Sequence, residues 1–126
     1  MRKLIYPCTC GLYDESDNVH LNCNNENLND EETSRILDVF LNDNGVTYPP
    51  IGALGLSENQ LTKIPHQIPF FSELNDINLS SNNITAIPTG AVNFRRTLGR
   101  LFLGSNPLNN IEPSAFLGTQ YTTPKV

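Results

Sequence analysis

The residues of this chain best suited to chemistry are Cys8, Cys10 and Cys23 and the two histidines, His20 and His66. A zinc ion needs nitrogen and sulfur donors converging tetrahedrally, supplied as closely spaced pairs such as C-x-x-C or H-x-x-x-H. Here one C-x-C pair stands with a single distant cysteine, and neither histidine has a second one within a helical turn. So poor a ligand set favours the other chemistry of cysteine, disulfide closure of a small domain. The serines are no better placed for nucleophilic catalysis. Ser57, Ser80, Ser81 and Ser105 lie in no G-x-S-x-G turn, the sharp elbow that exposes a nucleophile above a sheet. Glu31 and Glu32 adjoin at a helix start, where the backbone dipole favours carboxylates in solvent. No glycine-rich phosphate loop occurs either, so the expectation is a protein with no catalytic residue, metal or cofactor.

Sugar attachment is the remaining chemistry. Asn78-Leu-Ser80 and Asn83-Ile-Thr85 are both acceptor tripeptides, and such tripeptides act only in a secreted or surface-bound chain. Asn83 is the expected carrier, because it lies on the loop leaving a strand, where a bulky glycan has room. Asn78 stands between Ile77 and Leu79, so its side chain projects from the sheet face and a sugar there would obstruct that face.

These residues must be positioned by a repeat. Ile51-Gly-Ala-Leu54-Gly-Leu56-Ser-Glu-Asn59-Gln-Leu61 returns as Leu74-Asn-Asp-Ile77-Asn-Leu79-Ser-Ser-Asn82-Asn-Ile84 and as Leu98-Gly-Arg-Leu101-Phe-Leu103-Gly-Ser-Asn106-Pro-Leu108. The phrase is L-x-x-L-x-L-x-x-N-x-L, and its asparagines recur after 23 and then 24 residues, within the 20–29 of leucine-rich repeats. Leucines two apart share one side of a short strand, so Leu54/Leu56, Ile77/Leu79 and Leu101/Leu103 point inward. Each asparagine follows where the chain turns, able to satisfy backbone groups that would otherwise be buried unpaired. Phe71, Val92, Phe94, Ala115 and Phe116 are placed to fill the back of each turn. The expected fold is an α/β solenoid with short parallel β-strands on a concave face.

Ahead of the repeats, Val19 and Leu21 alternate just before Cys23. Asn29-Asp-Glu-Glu32 then reads as a capping box that opens a helix bearing Ile36, Leu37, Phe40 and Leu41 on one face, closed by Asn42-Asp-Asn-Gly45. Residues 1–50 are therefore expected to form a cysteine-rich cap with one helix. Three repeats follow (51–73, 74–97 and 98–118), and 119–126 form a polar tail.

Length and charge agree with one module. The 126 residues carry a net charge of −5 and no basic stripe, so binding to the phosphates of nucleic acid is not expected. Residues 1–58 hold three Lys/Arg against ten Asp/Glu, and residues 59–126 hold five against three, making the amino-terminal half the acidic one. Arg2 and Lys3 resemble the start of a signal peptide, but only Leu4, Ile5 and Tyr6 follow before Pro7, short of the roughly 7–15 apolar residues needed. Nor does the chain contain the run of about eighteen apolar residues of a membrane span.

The repeat phrase and the clustered cysteines resemble the extracellular leucine-rich-repeat family over roughly residues 7–118. Members begin with a cap of four cysteines closed by two disulfides. The resemblance implies a leucine-rich-repeat horseshoe fragment with an N-terminal disulfide cap, in which Cys8 pairs with Cys23. Closing that loop would contribute roughly 3 kcal/mol. The usual partner of Cys10 would lie upstream, where this sequence has none, which implies a truncated amino terminus and a leftover thiol able to form a disulfide-linked dimer. The acidic helix and the run Arg95-Arg-Thr-Leu98 are similar to crustacean leucine-rich-repeat proteins like the non-catalytic subunit of Oplophorus luciferase.

What the resemblance implies for function is an extracellular, secreted or cell-surface module that binds a protein ligand on its concave sheet, in adhesion, as a receptor, or as a non-catalytic subunit. The alternative is a cytosolic regulatory subunit of an enzyme. Side chains beside the strand leucines alternate outward, which marks Glu58 in the first repeat, Asp76 and Asn78 in the second, and Arg100 and Phe102 in the third as the expected partner-binding residues. Phe102 is the bulkiest of them, at a position that is Gly55 and Asn78 in the other repeats; it either anchors a partner or covers an otherwise open last repeat or meets a following one.

Overall fold

The computed structural model describes residues 2–13, 15, 17–42, 48–92, 97–113, 115 and 120–121. A short helix α1 (Arg2–Ile5) leads into a hairpin of β1 (Thr9–Leu12) and β2 (Val19–Asn22), and then helix α2 (Asp30–Leu41). The repeat strands follow as β3 (Ile51–Gly55), β4 (Asp76–Asn78) and β7 (Arg100–Phe102). Between and after them come a 3-10 turn (Ile68–Phe70) and the two-residue strands β5 (Ala86–Ile87), β6 (Thr97–Leu98), β8 (Asn110–Ile111) and β9 (Gln120–Tyr121).

The principal sheet is mixed and five-stranded, in the order β1-β2-β3-β4-β7. Its first pair is an antiparallel hairpin, and every later pair is parallel. Leu54, Ile77 and Leu101 align across β3, β4 and β7. Each repeat thus returns its strand beside the previous one without slipping, as the equal spacing of the motif requires. In a separate two-stranded sheet, β5 pairs in parallel with β8.

Leu54, Leu56, Ile77, Leu79, Leu101 and Leu103 are all buried, and Phe71, Val92 and Ala115 join them from the far side. Phe94 and Phe116 lie outside the described residues. Full burial of one such side chain stabilises the fold by about 1.5–3 kcal/mol, which makes this row the main source of stability.

The turns after the strands are stitched by asparagine. The Asn82 Nδ2 donates to the carbonyls of Leu56, Leu79 and Ser80, and its Oδ1 accepts from the Leu61 N–H. Asn59 bonds likewise to Cys23, Leu56 and Ser57, and Asn106 to Leu79, Leu103 and Gly104. Each asparagine thus ties its own turn to the one before it. An amide is the right group because it both donates and accepts at one point. The residue just before each, Glu58, Ser81 and Ser105, turns through a left-handed φ of 57°, 57° and 58°.

The cap follows the same plan in altered residues. Leu21 and Asn22 align with Leu54 and Gly55, so Cys23 stands where the repeats place Leu56, and Asn25 takes the left-handed turn with φ 55°. Cys23 is fully buried and bonded to Cys8. Helix α2 is opened by a complete capping box between Asn29 and Glu32 and buries Thr33, Ile36 and Leu37. The helix face drawn from periodicity does not extend to Leu41. This residue is the last of the helix and is exposed, while Phe40 is half-buried and packs its ring 5.4 Å from that of Tyr48. Of the proposed stop Asn42-Asp-Asn-Gly45, residues 43–45 lie outside the described residues. No helix among the described residues is long and apolar enough to cross a membrane.

Candidate binding face

Because side chains alternate along a strand, the sheet face opposite the buried leucines carries two rows in strict register. One runs His20, Ala53, Asp76, Arg100, and the other Asn22, Gly55, Asn78, Phe102. Four of the residues singled out from sequence, Asp76, Asn78, Arg100 and Phe102, are therefore neighbours on this face. Glu58 is not with them. It lies in the left-handed turn beyond β3, and the first repeat presents Ala53 and Gly55 in its place. Glu58 was counted beside the strand leucines, but like its counterparts Ser81 and Ser105 it is a turn residue past the strand end.

The small residues of the first repeat leave an open depression of ≈ 260 Å³, walled by Tyr13, His20 and Asn24 on the cap side and by Asp76, Asn78, Arg100 and Phe102 on the other. That is below the roughly 300–1,000 Å³ of small-molecule sites.

Asp76 organises the face. Its Oδ1 accepts from the Arg100 Nε at 3.1 Å, and its Oδ2 accepts from the Arg100 Nη2 at 3.3 Å and from the Tyr13 hydroxyl at 2.7 Å. The Asn75 Nδ2 in turn donates to the Tyr13 oxygen at 3.2 Å. Burial by itself would raise the Asp76 carboxyl's pKa, but hydrogen bonds from Arg100 and Tyr13, with the charge of Arg100, outweigh it and hold the group below its ordinary value. Burial pushes the Tyr13 phenol up, and the hydrogen bond and charge of Asp76 push it the same way.

Tyr13 reaches this site from the β1–β2 hairpin only because residue 52 is glycine. A Cβ there would lie 2.4 Å from the ring's Cδ2. Asn24 lies across Gly55 in the same manner, and Asn75 across Gly99. Sequence reasoning missed Tyr13, His20 and Asn24. For Tyr13 and Asn24 a signal was present, because glycine inside a strand marks close approach of another group, and Gly52 and Gly55 both lie in β3.

The remaining predicted residues lie elsewhere. Asn83 is exposed on the loop after β4, whereas Asn78 is half-buried and its Oδ1 accepts from the backbone and hydroxyl of Ser80. Cys10 carries the free thiol, but it is half-buried against the core and desolvation pushes its pKa up. That lowers the thiolate fraction on which disulfide exchange depends. Among the described residues no three His, Cys, Asp or Glu side chains converge as a metal-ligand group.

Comparison of the chain with protein-family models, with curated proteins and with solved structures returned no match.

Proposed function

We propose that this chain is a leucine-rich-repeat module of extracellular type, a short α/β solenoid closed at its amino end by a disulfide cap, which binds another protein on its concave sheet and does no catalysis itself. The observation that carries this reading is the pair of in-register rows, with a depression bordered by an aromatic ring and an arginine. A repeat fold requires nothing bulky at position 102, yet Phe102 is exposed there, and aromatic and arginine side chains are the commonest interface anchors. The Cys8–Cys23 disulfide supports an oxidising compartment. Adhesion, receptor and non-catalytic-subunit roles all use such a face.

The test is binding of the labelled protein to an arrayed set of secreted and cell-surface ectodomains, with Phe102→Ala and Arg100→Ala beside the wild type. Each substitution is expected to weaken capture by at least about fivefold, the equivalent of about 1 kcal/mol, with the melting temperature nearly unchanged. Equal capture by all three proteins, or loss of binding only in step with unfolding, would sink the concave-face reading.

A further inference from the structure

The Asp76–Arg100 pair is not presented symmetrically. The Arg100 side chain is 61 % exposed and that of Asp76 only 17 %, so an approaching partner meets the cation and not the anion. Asp76 engages Nε and one hydrogen of Nη2, and the rest of the guanidinium fork, with its Nη1 group, makes no hydrogen bond among the described residues. Such a fork, held at one edge, is set to receive a second carboxylate at the other. Beside it in the adjoining row stands Phe102, above an apolar floor of Ala53, Leu54 and Gly55.

We infer that the concave face recognises a segment of a protein partner that carries a carboxylate side chain next to an apolar one. The carboxylate pairs with the outer edge of Arg100, and the apolar side chain enters the depression against Phe102 and Ala53. Asp76 then acts as a positioning residue. It fixes the guanidinium for a partner's carboxylate, and Tyr13 and Asn75 hold the carboxyl in turn. This inference rests on the concave-face reading above and adds the chemistry of the ligand.

Random short peptides displayed on phage and selected on the intact, oxidised protein provide the test. The expected selection is for Asp or Glu adjoining an aliphatic or aromatic residue. Selected peptides should bind Arg100→Gln about tenfold less tightly, the loss of a charge-assisted contact. Binding to Asp76→Asn should weaken by no more than about threefold, because the cation that touches the ligand remains and the amide oxygen still accepts from one edge of the guanidinium. Both residues lie outside the leucine core, and thermal melts establish that each variant is folded. Peptides rich in Lys or Arg, abolished by Asp76→Asn, would overturn the inference by making Asp76 the contact. So would acidic peptides indifferent to Arg100→Gln. Selection of uncharged peptides that still depend on Phe102 would remove the carboxylate and leave the concave-face reading standing. Peptides unaffected by Phe102→Ala and Arg100→Gln would remove both.

Discussion

The two sides of the same three strands respond differently to repetition. On the inner side Leu54, Ile77 and Leu101 are interchangeable, and Asn59, Asn82 and Asn106 make equivalent bonds one turn apart. On the outer side Ala53, Asp76 and Arg100 share a row and no property. Every turn faces the same inner problem, to bury apolar surface and satisfy the carbonyls left where a strand ends. The outer side meets a different neighbour at each turn, buried at Ala53 and exposed at Arg100, so nothing in the fold holds its residues alike.

The largest effect should come from breaking the inner side. Asn82→Ala leaves the Leu61 N–H without its partner and takes one of two donors from each of the Leu56, Leu79 and Ser80 carbonyls, a loss of about 4 kcal/mol at roughly 1 kcal/mol per hydrogen bond. Asn78→Ala, four residues away on the outer side, should cost less than about 1 kcal/mol. Denaturant unfolding of the two variants measures the contrast directly, and equal losses would remove the distinction between the faces.

Reduction of the Cys8–Cys23 bond comes next, with an expected loss of about 3 kcal/mol for so short a loop. Thiol titration of unreduced, denatured protein should find one reactive cysteine, Cys10. Three reactive cysteines would point to the cytosolic alternative.

Gly52→Ala sharpens the comparison by disturbing the outer side alone. The added Cβ displaces the Tyr13 ring, and the Tyr13 phenol, now raised by burial and by Asp76, should return toward its ordinary value in an ultraviolet titration. The stability change should be about 1 kcal/mol. Acid offers a related test through Asp76. Its folded pKa is lowered, so the pair's contribution is full above the unfolded carboxylate value and fades as pH falls through the lower folded one. Arg100→Gln should move the Asp76 titration, followed by NMR, to higher pH. An unmoved titration would mean that the pair does not form in solution.

The smallest effect on stability concerns sugar. Chain produced through a secretory pathway should carry glycan on exposed Asn83 and little on Asn78, whose side chain is engaged with Ser80. Peptide mass spectrometry that finds Asn78 fully occupied would place a glycan on the proposed binding face and count strongly against it.

How much could be read without a structure follows the same division. The phrase L-x-x-L-x-L-x-x-N-x-L is enough to mark Leu54, Leu56, Ile77, Leu79, Leu101 and Leu103 as inward and Asn59, Asn82 and Asn106 as turn residues, because alternation and backbone satisfaction act over a few residues. The start of helix α2 was legible for the same reason, since Asn29 and Glu32 need only each other. Asp76, Asn78, Arg100 and Phe102 could be assigned to one face by counting along strands. Tyr13, His20 and Asn24 could not, because they reach that face by lying beside or across a neighbouring turn distant in sequence. Glu58 was counted beside the strand leucines, yet the strand ends at Gly55 and Glu58 lies in the turn beyond it. Periodicity is a local property and the sequence carries it whole. Which member of an ion pair faces outward, and which glycine makes room for a distant ring, depend on how turns stack, and only the tertiary structure decides them.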